Sequence, residues 1–408
     1  MLLLEPSRNT FKTSRSINGR RGIQSSNFKG DEALRNRKSE IENRGRCTRA
    51  LSFGVLFILG WLICSCAGLG STKPVVKIGL VAPFEGLYRH LGYEVLYAVK
   101  LAVRERNAAG GVSGHKVELV ALDDGNDPTQ APLQARKMIV DPDVVGVIGH
   151  FSDEAALAAL DEYHRVGLAL ITQVAADAVT ERGYPELFRL YARNELLGME
   201  AARHVVKELG MRRLAILRGR DDLVEAFLKT AELLGATVVL DTDASEQDWL
   251  AALEAASPDL IFFSGGAVEG AELITQAREA GIETIFMGGS ELDSPYVTQI
   301  GGEAVRGTLY ITAVPRIEEL VNSEDFVTGY QALAGCLPGP QAIMAYDATR
   351  VLLEALARAI ECQGRPTRDG VVAELSALQD YPGLIDAITF NDRGDLVAPK
   401  TYVYHIEL

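Results

Sequence analysis

Past residue 66 the chain has only two cysteines, Cys336 and Cys362, of five in the whole sequence. No pair has the spacing of a zinc knuckle. An oxidising compartment would allow these two to pair. Residues 340–359, however, read as one helix, and about 20 residues at ~1.5 Å rise would hold the two thiols far apart. The six histidines are scattered, with no two at metal-ligand spacing. There is no H-E-x-x-H, no G-x-S-x-G elbow and no phosphate loop closing on Gly-Lys-Ser/Thr. Asp161, Glu162 and His164 lie close together, but on a helix only Asp161 and His164 share a side, so the group reads as a solvated face. These absences exclude the common hydrolase, metalloenzyme and nucleotide-site signatures. We expect no enzyme activity, cofactor or metal.

Cations are also scarce after the first segment. Residues 1–66 carry 12 Lys and Arg against 5 Asp and Glu, and the remainder carries 29 against 50. An acidic body of this kind argues against a nucleic-acid partner, because phosphate binding needs clustered cations. The apolar run 50–63, 14 residues long, follows Arg44, Arg46 and Arg49. It is short for a membrane span and suits the core of a signal peptide. It enters Ile63-Cys64-Ser65-Cys66-Ala67-Gly68, which looks like a bacterial lipoprotein cleavage site with Cys66 as the lipidated residue. Cys64 would place Ile63 at the cut, and an uncleaved anchor is the plain alternative. Either way the body would be tethered to a membrane from outside, in the periplasm or on the outer side of the cytoplasmic membrane. Residues 1–43 are polar and aperiodic, which predicts disorder. Translation starting nearer Arg44 would account for so long a leader, and an ordinary disordered tail would do so too.

The body begins with the apolar run Val75 to Ala82, which breaks at Pro83 into the loop 84–92. A helical pattern with Val95, Val99, Ala102 and Val103 on one face follows, and Gly110-Gly111 can end it in the left-handed conformation. Next come a strand at 117–122 and the acidic turn Asp123-Asp124-Gly125-Asn126-Asp127-Pro128. Its carboxylates lack the alternation and distal Glu of a calcium loop. We therefore expect Asp127 to cap a helix that has Pro128 at its first position. Buried strands at 144–149 and 169–172 follow, then a crossover strand at 187–190. The same grammar recurs with strands at 214–217, 237–240, 260–263 and 284–287. Val- and Ile-rich runs alternating with amphipathic helices imply parallel β-α-β units. About 330 residues are too many for one compact core and enough for two lobes.

In this order the segments resemble the periplasmic receptors for branched-chain amino acids. The resemblance extends over Val75 to Leu408 and includes Ala345-Tyr346-Asp347-Ala348 and the turn Thr389-Phe390-Asn391-Asp392-Arg393-Gly394-Asp395. It implies a two-lobed α/β flytrap with three crossovers, near Leu190, Val314 and Ala398. The first lobe would comprise 75–190 plus 315–398, and the second 191–314 plus 399–408, after a signal peptide at 44–66. It also implies a monomer that takes a small molecule into the cleft and delivers it to the permease subunits of an ABC importer. A sensing receptor of the same fold and a structural lipoprotein with a degenerate cleft are the alternatives.

Open α/β sheets bind ligands at the loops after strand C-termini. By resemblance the contacts would come from Phe84, Tyr88, Leu91, Phe151, Ser152, Asp153, Ala175, Ala176 and Asp177 of the first lobe. Arg218, Leu223, Ala267, Ser290 and Glu291 would supply the other side. Several depart from the amino-acid pocket. Asp153 stands where relatives place a serine, Ala175 and Ala176 where a threonine is expected, and Leu223 and Ala267 where aromatics are expected. Asp153, Glu154 and Asp177 would meet an α-carboxylate with like charge. Leucine, isoleucine and valine are therefore expected to bind weakly, and a cationic, amide or otherwise polar ligand to be preferred.

Overall fold

The computed structural model describes residues 73–408 apart from Arg220 and Gln247, and Lys73–Leu408 forms one compact unit. The expected signal peptide, the polar N-terminal segment, Cys64 and Cys66 lie outside the described residues. Two sheets organise the chain. The first is wholly parallel, in the order β2(Lys116–Asp123), β1(Val75–Ala82), β3(Val144–Gly149), β4(Ala169–Thr172), β5(Leu187–Arg189). The second runs β13(Tyr402–His405), β10(Leu309–Thr312), β9(Ile285–Gly288), β8(Leu260–Phe263), β6(Arg213–Arg218), β7(Thr237–Asp243). Only the last strand, β13, is antiparallel to its neighbour in that sheet.

Alternation within the strands decides which helices cover which face. Ala169 and Ile171 join the apolar cluster beneath the helices Arg89–Ala108 and Pro340–Gln363. Leu170, between them, faces the opposite cluster with the helices Ala131–Val140 and Asp153–His164. Gly146 of β3 lets the long helix approach: a Cβ there would stand 2.4 Å from Leu352 Cδ1. In the second sheet Leu214, Ile216 and Phe262 pack toward the helices Asn194–Arg203 and Asp221–Leu233, with Phe227 and Phe262 stacked at 3.9 Å. Ala215, Leu217 and Phe263 pack on the other side, under the helices Trp249–Ala256 and Ala267–Glu279.

The chain passes between the two layers three times, at residues 190–193, 313–316 and 397–401. Some details differ from the sequence reading. The helix after the acidic turn starts at Ala131, with Pro132 rather than Pro128 in its first turn. Asp127 instead closes the preceding turn, its Oδ1 accepting from Thr129 N–H at 2.7 Å. Gly110 and Gly111 do take positive φ, 108° and 90°, where the helix Arg89–Ala108 ends. Cys336, ahead of the helix Pro340–Gln363, and Cys362, in its last turn, are free and exposed. The helices Glu324–Ala334 and Arg368–Ser376 and the short hairpin of β11(Tyr381–Pro382) with β12(Ala387–Ile388) complete the first layer and its edge.

Candidate functional site

Loops leaving the C-terminal ends of β1, β3, β4 and β9 converge on a cleft of about 790 Å³, a size suited to a small molecule. Of the residues expected there, Tyr88, Leu91, Phe151, Ser152, Asp153, Ala175, Ala267, Ser290 and Glu291 line it. Ser152 owes its place to capping: its Oγ accepts from Ala155 N–H at 3.2 Å at the start of the helix Asp153–His164. Its conformation is extended, as an N-cap requires. Asp153 follows inside the first turn, where the helix dipole favours a carboxylate. It is only 8% exposed, and its Oδ1 accepts from Ala176 N–H at 3.1 Å. This bond ties the loop after β3 to the loop after β4.

Five of the expected residues do not line the cleft. Phe84 packs edge-on against Tyr93, and its N–H is held by Asp123 Oδ1 at 2.8 Å. Ala176 gives its N–H to Asp153 and its carbonyl to Arg189, so it lies behind the wall. Asp177 is taken by Arg193, whose Nε donates to Oδ1 at 2.9 Å. Arg218 forms a two-pronged pair with Asp241 on the neighbouring β7, at 2.6 and 2.7 Å, and also reaches Glu225. Leu223 is 2% exposed and belongs to the core. Of the three carboxylates expected to oppose an α-carboxylate, Asp177 is held by Arg193, Asp153 already serves a backbone donor, and Glu154 lines the cleft.

The structure adds residues that the sequence reading passed over. Gln173, the first residue after β4, is 6% exposed and lines the cleft, and neither amide atom has a protein hydrogen-bond partner. Tyr191, in the first passage between the layers, shares a hydrogen bond with Thr312 Oγ1 at 3.3 Å. Tyr310 is buried, and burial pushes its phenol up to about 12. Arg316 enters the cleft wall already engaged, donating to His405 O at 3.0 Å and lying over the Tyr404 ring at 4.6 Å. Hydrogen bonds join the layers across the rim. Tyr296 OH donates to Leu87 O at 2.7 Å, and Asp222 accepts from Asp177 N–H at 3.2 Å and from Asn194 Nδ2 at 3.0 Å.

Glu94 belongs to this set as well. Its carboxylate accepts from Ala342 N–H at 2.9 Å, capping the helix Pro340–Gln363 from 248 residues away. Burial pushes it up to about 7. A carboxyl raised above its unfolded value stabilises the fold fully below that value, near 4.5, and the contribution is lost as pH rises through about 7. Glu94→Gln should therefore gain stability relative to the parent between those limits, by at most about 1.4 kcal/mol per pH unit. Urea denaturation across the range checks this, and a difference independent of pH would contradict the assignment.

Behind the cleft a second polar group is wholly buried: His150 Nδ1 is 2.5 Å from Asp124 Oδ2, and its Nε2 is 3.1 Å from Tyr163 OH. Several other acidic side chains pair with near neighbours. Glu162 pairs with Arg136 and Arg165, His164 with Glu186, and Asp161 accepts from Tyr184. Among the described residues no group of three His, Cys, Asp or Glu could hold a metal ion, and no helix is long and apolar enough to cross a membrane.

Comparison with known proteins fits this geometry. The profile of a family described as periplasmic binding protein matches residues 75–407. The leucine-, isoleucine-, valine-, threonine- and alanine-binding protein of Pseudomonas aeruginosa is 27% identical over 82% of this chain and 90% of its own length. Among solved structures, a leucine-binding protein of Thermotoga maritima superposes with a TM-score of 0.73 at 26% identity, covering 81% of this chain and 95% of that one. A solute-binding protein of Rhodopseudomonas palustris in complex with 3,4-dihydroxybenzoic acid has a TM-score of 0.69 at 21% identity, covering 82% and 93%. That last likeness shows the shared fold alone.

Proposed function

The chain belongs to the periplasmic binding protein family, and from that premise we propose that it is the solute-binding component of an ABC importer. Its ligand is a small polar or amino-acid-like molecule, held between the two lobes. One observation carries the reading: the strand-end loops of both sheets, each on a rigid α/β layer, meet across a single cleft. The relatives named for leucine, isoleucine and valine support an amino-acid-like ligand. Ala175 offers no hydroxyl where the resemblance implies a threonine, and the polar contact on this wall comes instead from the unmet amide of Gln173. Nothing in the site calls for covalent chemistry, so capture and release would be the whole activity.

Capture works by hinge closure. A ligand that touches both lobes favours the shut form by the contacts that only that form provides. The rim bonds Tyr296–Leu87 and Asp222–Asp177 span the layers and would have to break for the lobes to part. The experiment is calorimetry with leucine, glutamine and lysine, followed by small-angle scattering with whichever saturates the protein. The radius of gyration should fall on saturation, and an unchanged profile would sink the hinge mechanism. Micromolar binding of leucine would overturn the polar preference and leave the mechanism standing.

Tethering by lipid at Cys66 completes the proposal, placing the cleft close to the permease. Cys66→Ser should release the protein from the membrane or block processing. Undiminished processing and membrane retention in that variant would remove the anchor.

A further inference from the structure

A second groove, of about 380 Å³, opens where the chain passes between the layers. All three passages contribute to it: Leu190 and Tyr191 from the first, Ala313 from the second, and Val397 to Lys400 from the third. Its floor is apolar and buried, with Leu190, Ala313, Met344 and Ile388 each 5% exposed or less. Asp347 of the long helix lies in that floor at 2% exposure.

Half of the Asp347 carboxylate is committed. Oδ2 accepts from Leu384 N–H at 2.6 Å, which holds the edge of the hairpin. Oδ1 has no hydrogen-bond partner. The Arg350 guanidinium forms a long ion pair with it at 3.6 Å and lies over the rings of Tyr346 and Tyr381, while burial pushes the carboxyl up to about 7. A buried carboxylate oxygen without a donor is costly to maintain. On the rim, Asp386 is paired with Lys400 at 2.8 Å, and Asp380 is exposed. The charges facing the groove are thus Asp347, Asp380 and Asp386 against Lys400, with Arg350 behind the floor.

We propose that this groove is a second ligand site, for a small amphiphilic amine or amidine whose cationic end meets the Asp347 carboxyl and whose apolar body lies on Met344, Ala313 and Ile388. Apolar walls with one convergent charged group are the usual make-up of a small-molecule site, and a charge-assisted bond to a carboxylate is the strong kind. The occupant would touch each segment that joins the lobes, and Tyr191 lines both this groove and the main cleft.

Benzamidine, benzamide and benzoate serve as probes on the purified protein, followed by titration calorimetry. Benzamidine should bind with a dissociation constant of about 1 mM or tighter, benzamide more weakly, and benzoate not at all. Asp347→Asn keeps an acceptor for Leu384 N–H and should weaken benzamidine by about tenfold or more. Val397→Lys alters only an exposed rim residue and should weaken it too, which separates loss of the site from loss of the fold. Benzamidine binding that is unchanged in both variants lies elsewhere and overturns the proposal. So does the absence of saturable binding to the parent, or equal binding of all three probes. None of these outcomes bears on capture in the main cleft.

Discussion

Replacing Arg189 with methionine is expected to destabilise the protein by about 3–5 kcal/mol, the range for breaking a buried ion pair from one side. The side chain of Arg189 is fully buried, and its guanidinium is used in every direction. Nε donates to Asp395 Oδ1 at 2.8 Å, and Nη2 to Thr180 Oγ1 at 2.6 Å. Nη1 donates to the carbonyls of Ala175 and Ala176 at 2.7 and 2.9 Å. Methionine fills much of the volume but leaves the Asp395 charge buried at 3% exposure and takes one donor from each of the Ala175 and Ala176 carbonyls, which keep only the N–H groups of Asn194 and Val179. The loop that presents Gln173 and Ala175 to the cleft would lose its clamp, so affinity should fall along with stability. Asp395→Asn in the same chain removes the stranded charge and should recover part of the loss, giving a coupling of about 1 kcal/mol or more in the double-mutant cycle. A cost below about 1 kcal/mol for Arg189→Met in urea denaturation would show that the clamp is not what holds this loop.

That clamp marks where sequence reading stops. The turn Thr389 to Asp395 was expected from the resemblance, and Asn391 Oδ1 indeed accepts from Arg393 and Asp395 N–H. Its function was not legible, because Asp395 meets Arg189 206 residues away. The same distinction holds across the molecule. Strands such as Val144–Gly149 and Leu260–Phe263 announce themselves because both faces are buried and every position is apolar or Gly. The helix Glu324–Ala334 is quieter: it buries only Phe326 and Tyr330, too sparse a stripe to stand out.

Charged residues misled most in the candidate site. Read alone, Arg218 and Asp177 look like groups awaiting a ligand. In the fold Arg218 is answered by Asp241 on the adjacent parallel strand, and Asp177 by Arg193 at the end of the first crossover. Strand-end loops can be located from periodicity, whereas the pairing of their charges depends on strand order, which local pattern does not carry. Glu94 makes the converse case, a mid-helix carboxylate turned into a cap by a helix start it could not be matched with in sequence.

Gln173→Leu should move stability and affinity in opposite directions. The parent amide is buried to 6% exposure at the cleft wall, and neither its donor nor its acceptor is met by protein. A buried, unmet polar group costs about 1–3 kcal/mol, so an apolar side chain of similar size should raise the unfolding free energy by about that amount. The ligand would pay the other side of the change. A polar solute seated against Gln173 can supply an acceptor to Nε2 and a donor to Oε1, and leucine at this position can answer neither. Losing one such pair weakens binding by about tenfold to a hundredfold. Gln173→Glu is the informative companion, since it keeps the size and adds charge. Ligands with an anionic end at this wall should be rejected by it, and ligands with a cationic end should bind more tightly. Denaturation and calorimetry on the same preparations decide the matter. If Gln173→Leu is neither more stable nor weaker in binding, the amide is satisfied by solvent and plays no part in recognition.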